Sequence, residues 1–459
     1  MRRQYLVYLL TAIAAFVPAI ASAHAFGQQY TLPLPFQLYA EGAVGALVAS
    51  FVVLALYSGH RSERADIAVS FGFRSRFPEF FLRVVGLVCF VLTLSFAFFG
   101  SNNFIQNPTP ILFWAVLFLG MTYVSAVVDG LWRFLNPFDT IVRILFLGRI
   151  PNAFFKYPAW LGYWPAVAIY FALISLELLS NGLGALPVVI GVVLLWYAFI
   201  SCSGAILFGP DAWFKYGDFF SVFFQMLGRF APFHIEQGCV RIQLPGERLV
   251  SESAQHISAL VFILFMLSST SFDGLHATQI WWDILYGSEL QMRWYALEEF
   301  FALLISPFVF LALYGLAIYG MWKLTGARQT YARLLLRFAY SLIPIAIAYN
   351  FAHYFVLLAY EVQTLIPLMS DPFAKGWNIF GSAVQKTSIV LIGAQEIWYT
   401  QFGVILMGHI VATYVAHRIA VREFDTPRNV IVGQLPVLIL MVFYTVFGLW
   451  ILSQAYQSA

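Results

Sequence analysis

Ten apolar runs, most of them close to the ~20 residues an α-helix needs to cross a bilayer, divide this chain from end to end. They lie at about 38–58, 80–100, 110–128, 160–178, 186–208, 258–272, 299–321, 338–358, 397–419 and 435–453. Within hydrocarbon every backbone amide must be satisfied internally, so runs of this kind fold as helices that pack side by side. The expected fold class is therefore all-α: a polytopic integral membrane helical bundle of about ten transmembrane helices. The run at 258–272 is short and is expected to tilt or to lean on its neighbours. Composition agrees, with 61% hydrophobic and only 10% charged residues, against roughly 25% charged in a soluble domain.

The basic residues orient the bundle. Counting from the first run, every second loop is basic: those after runs one, three, five, seven and nine hold 5, 4, 4, 4 and 3 Lys and Arg, twenty of the 25 in the chain. The intervening loops contain only Arg293, Lys375 and Lys386. By the positive-inside rule the basic loops face the cytoplasm and both ends of the mature chain lie outside, as expected for a multi-pass membrane protein. The net charge of +3 is small and the cations are dispersed, which excludes a nucleic-acid footprint. Cys89, Cys202 and Cys239 have no paired spacing, so neither disulfides nor zinc knuckles are expected.

Residues 1–23 combine Arg2 and Arg3, an apolar stretch and the small-residue ending Ala21-Ser22-Ala23, the pattern of a cleaved signal peptide. The mature chain, 24–459, reads as a single transmembrane domain. Within 211–250, Phe219, Phe220, Phe223, Phe224 and Leu227 recur at helical spacing, which predicts a helix lying along the cytoplasmic interface. The stretch Cys239–Leu244, ending at Pro245-Gly246, predicts a small hairpin. Two outer loops, about 271–298 and 359–396, are rich in acids, amides and tryptophans, and loops of that length tend to be functional.

Ionisable groups within spans are costly in lipid and turn toward a cavity or a partner. His353 is expected on the order of 8 Å from the outer end of its run and His409 on the order of 18 Å from the outer end of the next, at ~1.5 Å per residue. Tyr349 and Asn350 share the helix face of His353. Glu41 and Glu177 lie near the outer ends of their runs. His60, His234 and His256 fall in basic loops and show no functional pattern. Two histidines on neighbouring helices with carboxylates from outer loops are the residue types that hold zinc or a similar divalent ion. The alternative for each histidine is a hydrogen bond across helices that stabilises packing.

Several stretches carry a family resemblance. His24-Ala25-Phe26-Gly27-Gln28-Gln29-Tyr30, Leu131-Trp132-Arg133-Phe134-Leu135-Asn136-Pro137-Phe138 and Leu161-Gly162-Tyr163-Trp164-Pro165 resemble bacterial inner-membrane proteins known as fenitrothion hydrolases. In the C-terminal half the same is true of Ser271-Phe272-Asp273-Gly274, Ala352-His353-Tyr354, Pro367-Leu368-Met369-Ser370-Asp371-Pro372-Phe373, Trp377-Asn378-Ile379-Phe380-Gly381 and Gly408-His409. The resemblance implies an organophosphorus hydrolase acting on a small hydrophobic substrate that arrives through the lipid bilayer. For such a reaction, residue type and depth give an expected site: a divalent metal on His353, His409 and Asp371, activating a water. Asp273 or Glu298 would orient that water or act as base, and Tyr349 and Asn350 would donate to the developing oxyanion. The rival class is a transporter or channel for an ion or small solute, in which the same buried groups relay an ion or proton.

Overall fold

The computed structural model describes residues 33–57, 69–72, 77–147, 153–236, 239–286, 295–383 and 393–454. The signal-peptide segment lies outside them.

In chain order, helix α1 spans Phe36–Tyr57 and strand β1 Val69–Gly72, followed by α2 (Phe77–Phe99). A π-helical turn opens the next helix, α3 (Ile111–Val127), which runs into β2 (Val128–Asp129). Two short helices, α4 (Leu131–Leu135) and α5 (Pro137–Leu145), precede the long α6 (Trp164–Leu179) and α7 (Pro187–Phe208). Then come α8 (Pro210–Tyr216), α9 (Phe219–Gly228), the hairpin β3 (Phe233–Glu236) and β4 (Cys239–Ile242), and α10 (Glu247–Ser251). The C-terminal half is α11 (Ile257–His276), α12 (Gln279–Tyr286), α13 (Tyr295–Thr325), α14 (Tyr331–Arg337), α15 (Ile343–Ser370), α16 (Ala394–Glu423) and α17 (Pro427–Ser453).

Among the described residues nine helical stretches are long and apolar enough to cross a membrane, and the fold is an all-α, multi-pass bundle. The third apolar run is the exception, because Ile111–Val127 is shorter than the other nine. Packing sorts the helices by depth. In α2 only 11% of the apolar window is buried within the protein, so that helix faces lipid, whereas in α11 the share is 89%. The short run at 258–272 thus belongs to the helix at the centre of the bundle, extended to twenty residues by Ile257 and Asp273–His276. A helix enclosed by protein on all sides carries no requirement for an uninterrupted lipid-facing surface.

Both outer loops begin as helix. Residues 271–276 complete α11, and α15 continues unbroken to Ser370. His353 therefore stands roughly 25 Å of helix from the end of α15, at about 1.5 Å per residue, not close to a loop.

The phenylalanines of α9 do not lie along an interface. Phe219, Phe220, Phe223 and Phe224 are all buried, enclosed by rings from three spans. Phe219 stacks on Phe118 of α3 at 5.9 Å and on Tyr170 of α6 at 4.9 Å, while Phe223 meets Phe262 of α11 at 6.3 Å. Asp218 explains how so short a helix is held inside. Its Oδ2 accepts the Ser221 amide as an N-cap, and its Oδ1 accepts the Tyr197 and Ser201 hydroxyls at 2.7 and 2.5 Å. Helical spacing of aromatics cannot distinguish a helix half-sunk in lipid from one wholly enclosed by protein.

The hairpin at Cys239 is present but belongs to something larger. Antiparallel β3 and β4 pair Phe233 with Ile242, β1 adds Val69 opposite Ile242, and β2 joins in parallel with Val128 opposite Phe233. The four-stranded sheet, in order β1-β4-β3-β2, caps the end of the bundle from which the basic loops emerge.

Candidate functional site

At the opposite, acid-rich end, polar side chains from several spans meet beneath the surface. Asp273, three residues before the end of α11, is bonded to two consecutive residues of α15. His353 Nε2 lies 2.9 Å from Asp273 Oδ2, and the Tyr354 hydroxyl donates to the same oxygen at 2.8 Å. The His353 side chain is only 6% exposed. Because the carboxylate accepts, the nitrogen facing it carries the proton, and Nδ1 becomes the basic nitrogen of the neutral ring. Gly274 is set by the packing of α17: a Cβ there would strike Ile451 Cγ2, while His353 Cε1, at 3.4 Å, would stay at van der Waals distance. The Asp-Gly pair at the end of α11 thus has a packing reason as well as a chemical one.

Further groups surround this pair. Glu177, near the end of α6, interacts electrostatically with Asp273. One turn beyond Asp273, His276 Nε2 lies 3.2 Å from Glu299 Oε1 of α13, and that carboxylate is buried. Glu298, the adjacent residue in the first turn of α13, takes no part in the bonds just described. Asn350, one turn before His353, accepts the Tyr123 hydroxyl of α3 through Oδ1 at 2.8 Å, which leaves its amide NH2 as the donating group. Tyr349 is buried, with its ring 6.4 Å from the His353 ring.

The three expected metal ligands are not brought together. Asp371 closes its own turn, Oδ1 accepting the Lys375 amide at 2.9 Å and Oδ2 the Gly376 amide at 2.8 Å, with Gly376 at φ +79°. His409, on α16, is 2% exposed, and its Nδ1 is bonded to the Ile405 carbonyl at 2.9 Å. It borders a small internal cavity of about 20 Å³ together with Ser271, Tyr349 and Tyr444. His353 is held by Asp273 instead. Among the described residues no three His, Cys, Asp or Glu side chains converge as a cation site. The residues described do not fit a shared divalent ion.

Sequence reasoning singled out Asp273 and Asn350 but missed the tyrosines that bond to them. Tyr354 and Tyr123 are two aromatics among many, with no local signal. It also passed over the basic end, where a cavity of about 990 Å³ opens between the sheet, α4, α5, α8, α9 and α10. The residues Leu131–Phe138 frame it. Asn136 caps α5 through Oδ1, and its Nδ2 joins Trp132 Nε1 in donating to Ser221 Oγ of α9, both at 3.2 Å. Across the cavity Asp129 Oδ2 receives Arg248 at 2.5 Å and faces His234 Nδ1 at 3.2 Å. Burial disfavours the charged form of Asp129, yet His234 and Arg248 outweigh it and hold the carboxyl below its ordinary range. Gly228 is required beside it, since a Cβ there would collide with the Asp129 carboxylate. His234, which looked unremarkable in a basic loop, and His256, which caps α11 by accepting the Ser258 amide at 3.2 Å, both have defined roles.

Comparison with protein families, with curated proteins and with solved structures finds no match to this chain. The reading of function therefore rests on the geometry and on the sequence resemblance.

Proposed function

We propose that this protein is a membrane-embedded hydrolase of neutral, lipid-soluble phosphotriesters such as fenitrothion, with His353 as general base and Asp273 as the group that orients it. The observation that carries this reading is the buried 2.9 Å bond between His353 Nε2 and Asp273 Oδ2. A carboxylate that fixes the tautomer and orientation of an imidazole, and stabilises the imidazolium formed on proton transfer, is the arrangement hydrolases use to activate a nucleophile. Here the nucleophile is water. As its oxygen bonds to phosphorus, its proton passes to His353 Nδ1 and the phosphorus–aryloxide bond breaks. The products are a dialkyl thiophosphate and a nitrophenol. The Asn350 amide and the Tyr349 hydroxyl, one turn before His353 on α15, would donate to the charge that develops on the phosphoryl group. A membrane setting suits an apolar substrate, which concentrates in hydrocarbon, while the anionic products leave to water. In this reading the acid-rich end faces the exterior of a bacterial inner membrane.

Nitrophenolate release by the detergent-purified protein tests it. Asp273→Asn is expected to lower turnover on the order of 10³-fold or more through the wrong tautomer, with Tyr354→Phe having a smaller effect. An Asp273→Asn variant that turns over as fast as the wild type overturns the assignment.

One observation favours a second reading, a proton or ion conduit. His409, Thr413 and His417 follow at four-residue spacing along one face of α16, all buried. Thr413 donates to the His409 carbonyl at 2.9 Å, and Gln434 lies 3.2 Å from His417 Nδ1. His409 Nε2 has no hydrogen-bond partner among the described residues, and the 20 Å³ beside it is room for about one water. Proton uptake into proteoliposomes, abolished by His409→Gln, would support this reading over hydrolysis.

A further inference from the structure

The hydrolytic reading leaves the cavity at the basic end of the bundle unused. At about 990 Å³ it falls at the upper end of the range for pockets that enclose a small organic molecule. Eight Arg and Lys side chains line it against five carboxylates. Most of those carboxylates are already shared between cations. Asp139 binds both Arg83 and Arg143, at 2.7 and 2.8 Å. Glu247 binds Arg418 and Arg422, at 3.2 and 3.3 Å, and Glu252 binds Arg229 and Arg248, at 3.1 and 2.7 Å. Asp211 is the one lining acid that forms no ion pair among the described residues, while three lining cations, Arg133, Lys215 and Arg241, form none either. The balance is an excess of positive charge gathered around one cleft, whose low-dielectric walls focus its pull on an anion.

His234 lines the same cavity and is 6% exposed, with Nδ1 held between Asp129 and Arg248. Its Nε2 is buried without a hydrogen-bond partner among the described residues, although buried polar atoms are satisfied in the great majority of cases. Trp132 and Phe224 add an apolar wall beside the charged one.

We propose that this cavity binds a phosphate-bearing anion, with Arg133 and Arg241 as its principal contacts. Guanidinium groups match phosphate oxygens two at a time, which makes arginine the residue suited to this task. Two sources supply the same chemistry: the headgroup of an anionic phospholipid entering at the level of the basic loops, and a soluble phosphate compound.

The experiment uses the full-length protein in nanodiscs of phosphatidylcholine and follows intrinsic tryptophan fluorescence and thermal midpoint. One arm titrates inorganic pyrophosphate; the other replaces part of the phosphatidylcholine with phosphatidylglycerol. A saturable change in the pyrophosphate arm alone identifies a soluble ligand, and a change in the phosphatidylglycerol arm alone identifies a headgroup. In either case binding should weaken at least tenfold in Arg133→Ala/Arg241→Ala and fall as salt is raised. Both side chains are exposed and outside any ion pair of the described residues, so the double variant should fold; Lys215→Ala, expected to weaken binding a fewfold, is the reserve if it does not. Absence of a response in both arms, or binding unchanged in the double variant, overturns the proposal.

Discussion

The two ends of the bundle are built on opposite electrostatic plans. At the acid-rich end a few neutral or acidic groups are matched to specific partners across spans: Asp273 with His353 and Tyr354, Glu299 with His276, Asn350 with Tyr123. At the basic end most carboxylates are shared between cations, with Asp139, Glu247 and Glu252 each holding two arginines around an open volume. The first arrangement fixes the orientation of a base. The second leaves positive charge over, which suits retention of an anion. The lesson is that arginines which set topology by their number can also build a site by their placement, and only the fold separates the two roles.

Perturbations sharpen this contrast, and the largest effect on stability is expected near the basic end. Asp218→Ala removes the acceptor shared by Tyr197, Ser201 and the Ser221 amide, leaving three buried donors unmatched and α9 without its cap. A loss of about 3 kcal/mol is expected, read as a fall in thermal midpoint in detergent. Next is Asp129→Asn, expected to cost about 2 kcal/mol near neutral pH through loss of charge-assisted bonds to Arg248 and His234. The sign of its pH dependence follows from the depressed carboxyl. The contribution is complete above the unfolded value of about 3.9 and disappears as pH falls through the lower folded value. Wild type and variant should therefore differ at pH 7 and converge in strong acid; a gap that persists in acid would show that charge is not the cause.

At the acid-rich end the effects on stability should be smaller. Tyr123→Phe deletes one interhelical hydrogen bond to Asn350 and is expected to cost about 0.6 kcal/mol, the average for such bonds within membrane bundles. Smallest of all is the effect of a chelator. With His353, His409 and Asp371 held by separate partners, EDTA should leave nitrophenolate release unchanged, and a loss restored by zinc would reinstate the metal reading.

How much of this was legible follows from what each signal measures. Length and apolarity fixed the spans, because lipid imposes those properties on any crossing helix, and the cost of intramembrane charge singled out His353. The helix ends were harder, since α15 continues through polar residues to Ser370 where hydropathy had already fallen. Asp371 has the residue type of a ligand, but the Lys375 and Gly376 amides claim both its oxygens, a local competition that spacing does not reveal. The basic cavity was out of reach for a different reason. Its walls come from β2 at Val128–Asp129, from the Phe233–Ile242 hairpin and from Arg418 and Arg422, which lie far apart in the chain. None of these short segments reports its partner. In the same way α9, with its phenylalanines on a helical repeat, shows amphipathic spacing but not the enclosing rings of α3, α6 and α11.

The central claim, that His353 is the base at the acid-rich end, is tested most directly by chemical rescue. Nitrophenolate release from fenitrothion should be measured for detergent-purified His353→Ala with and without free imidazole. The account predicts a loss of at least 10²-fold, in the range for removal of a positioned general base, and partial recovery as imidazole occupies the vacated space beside Asp273. Turnover by His353→Ala at the wild-type rate would contradict it.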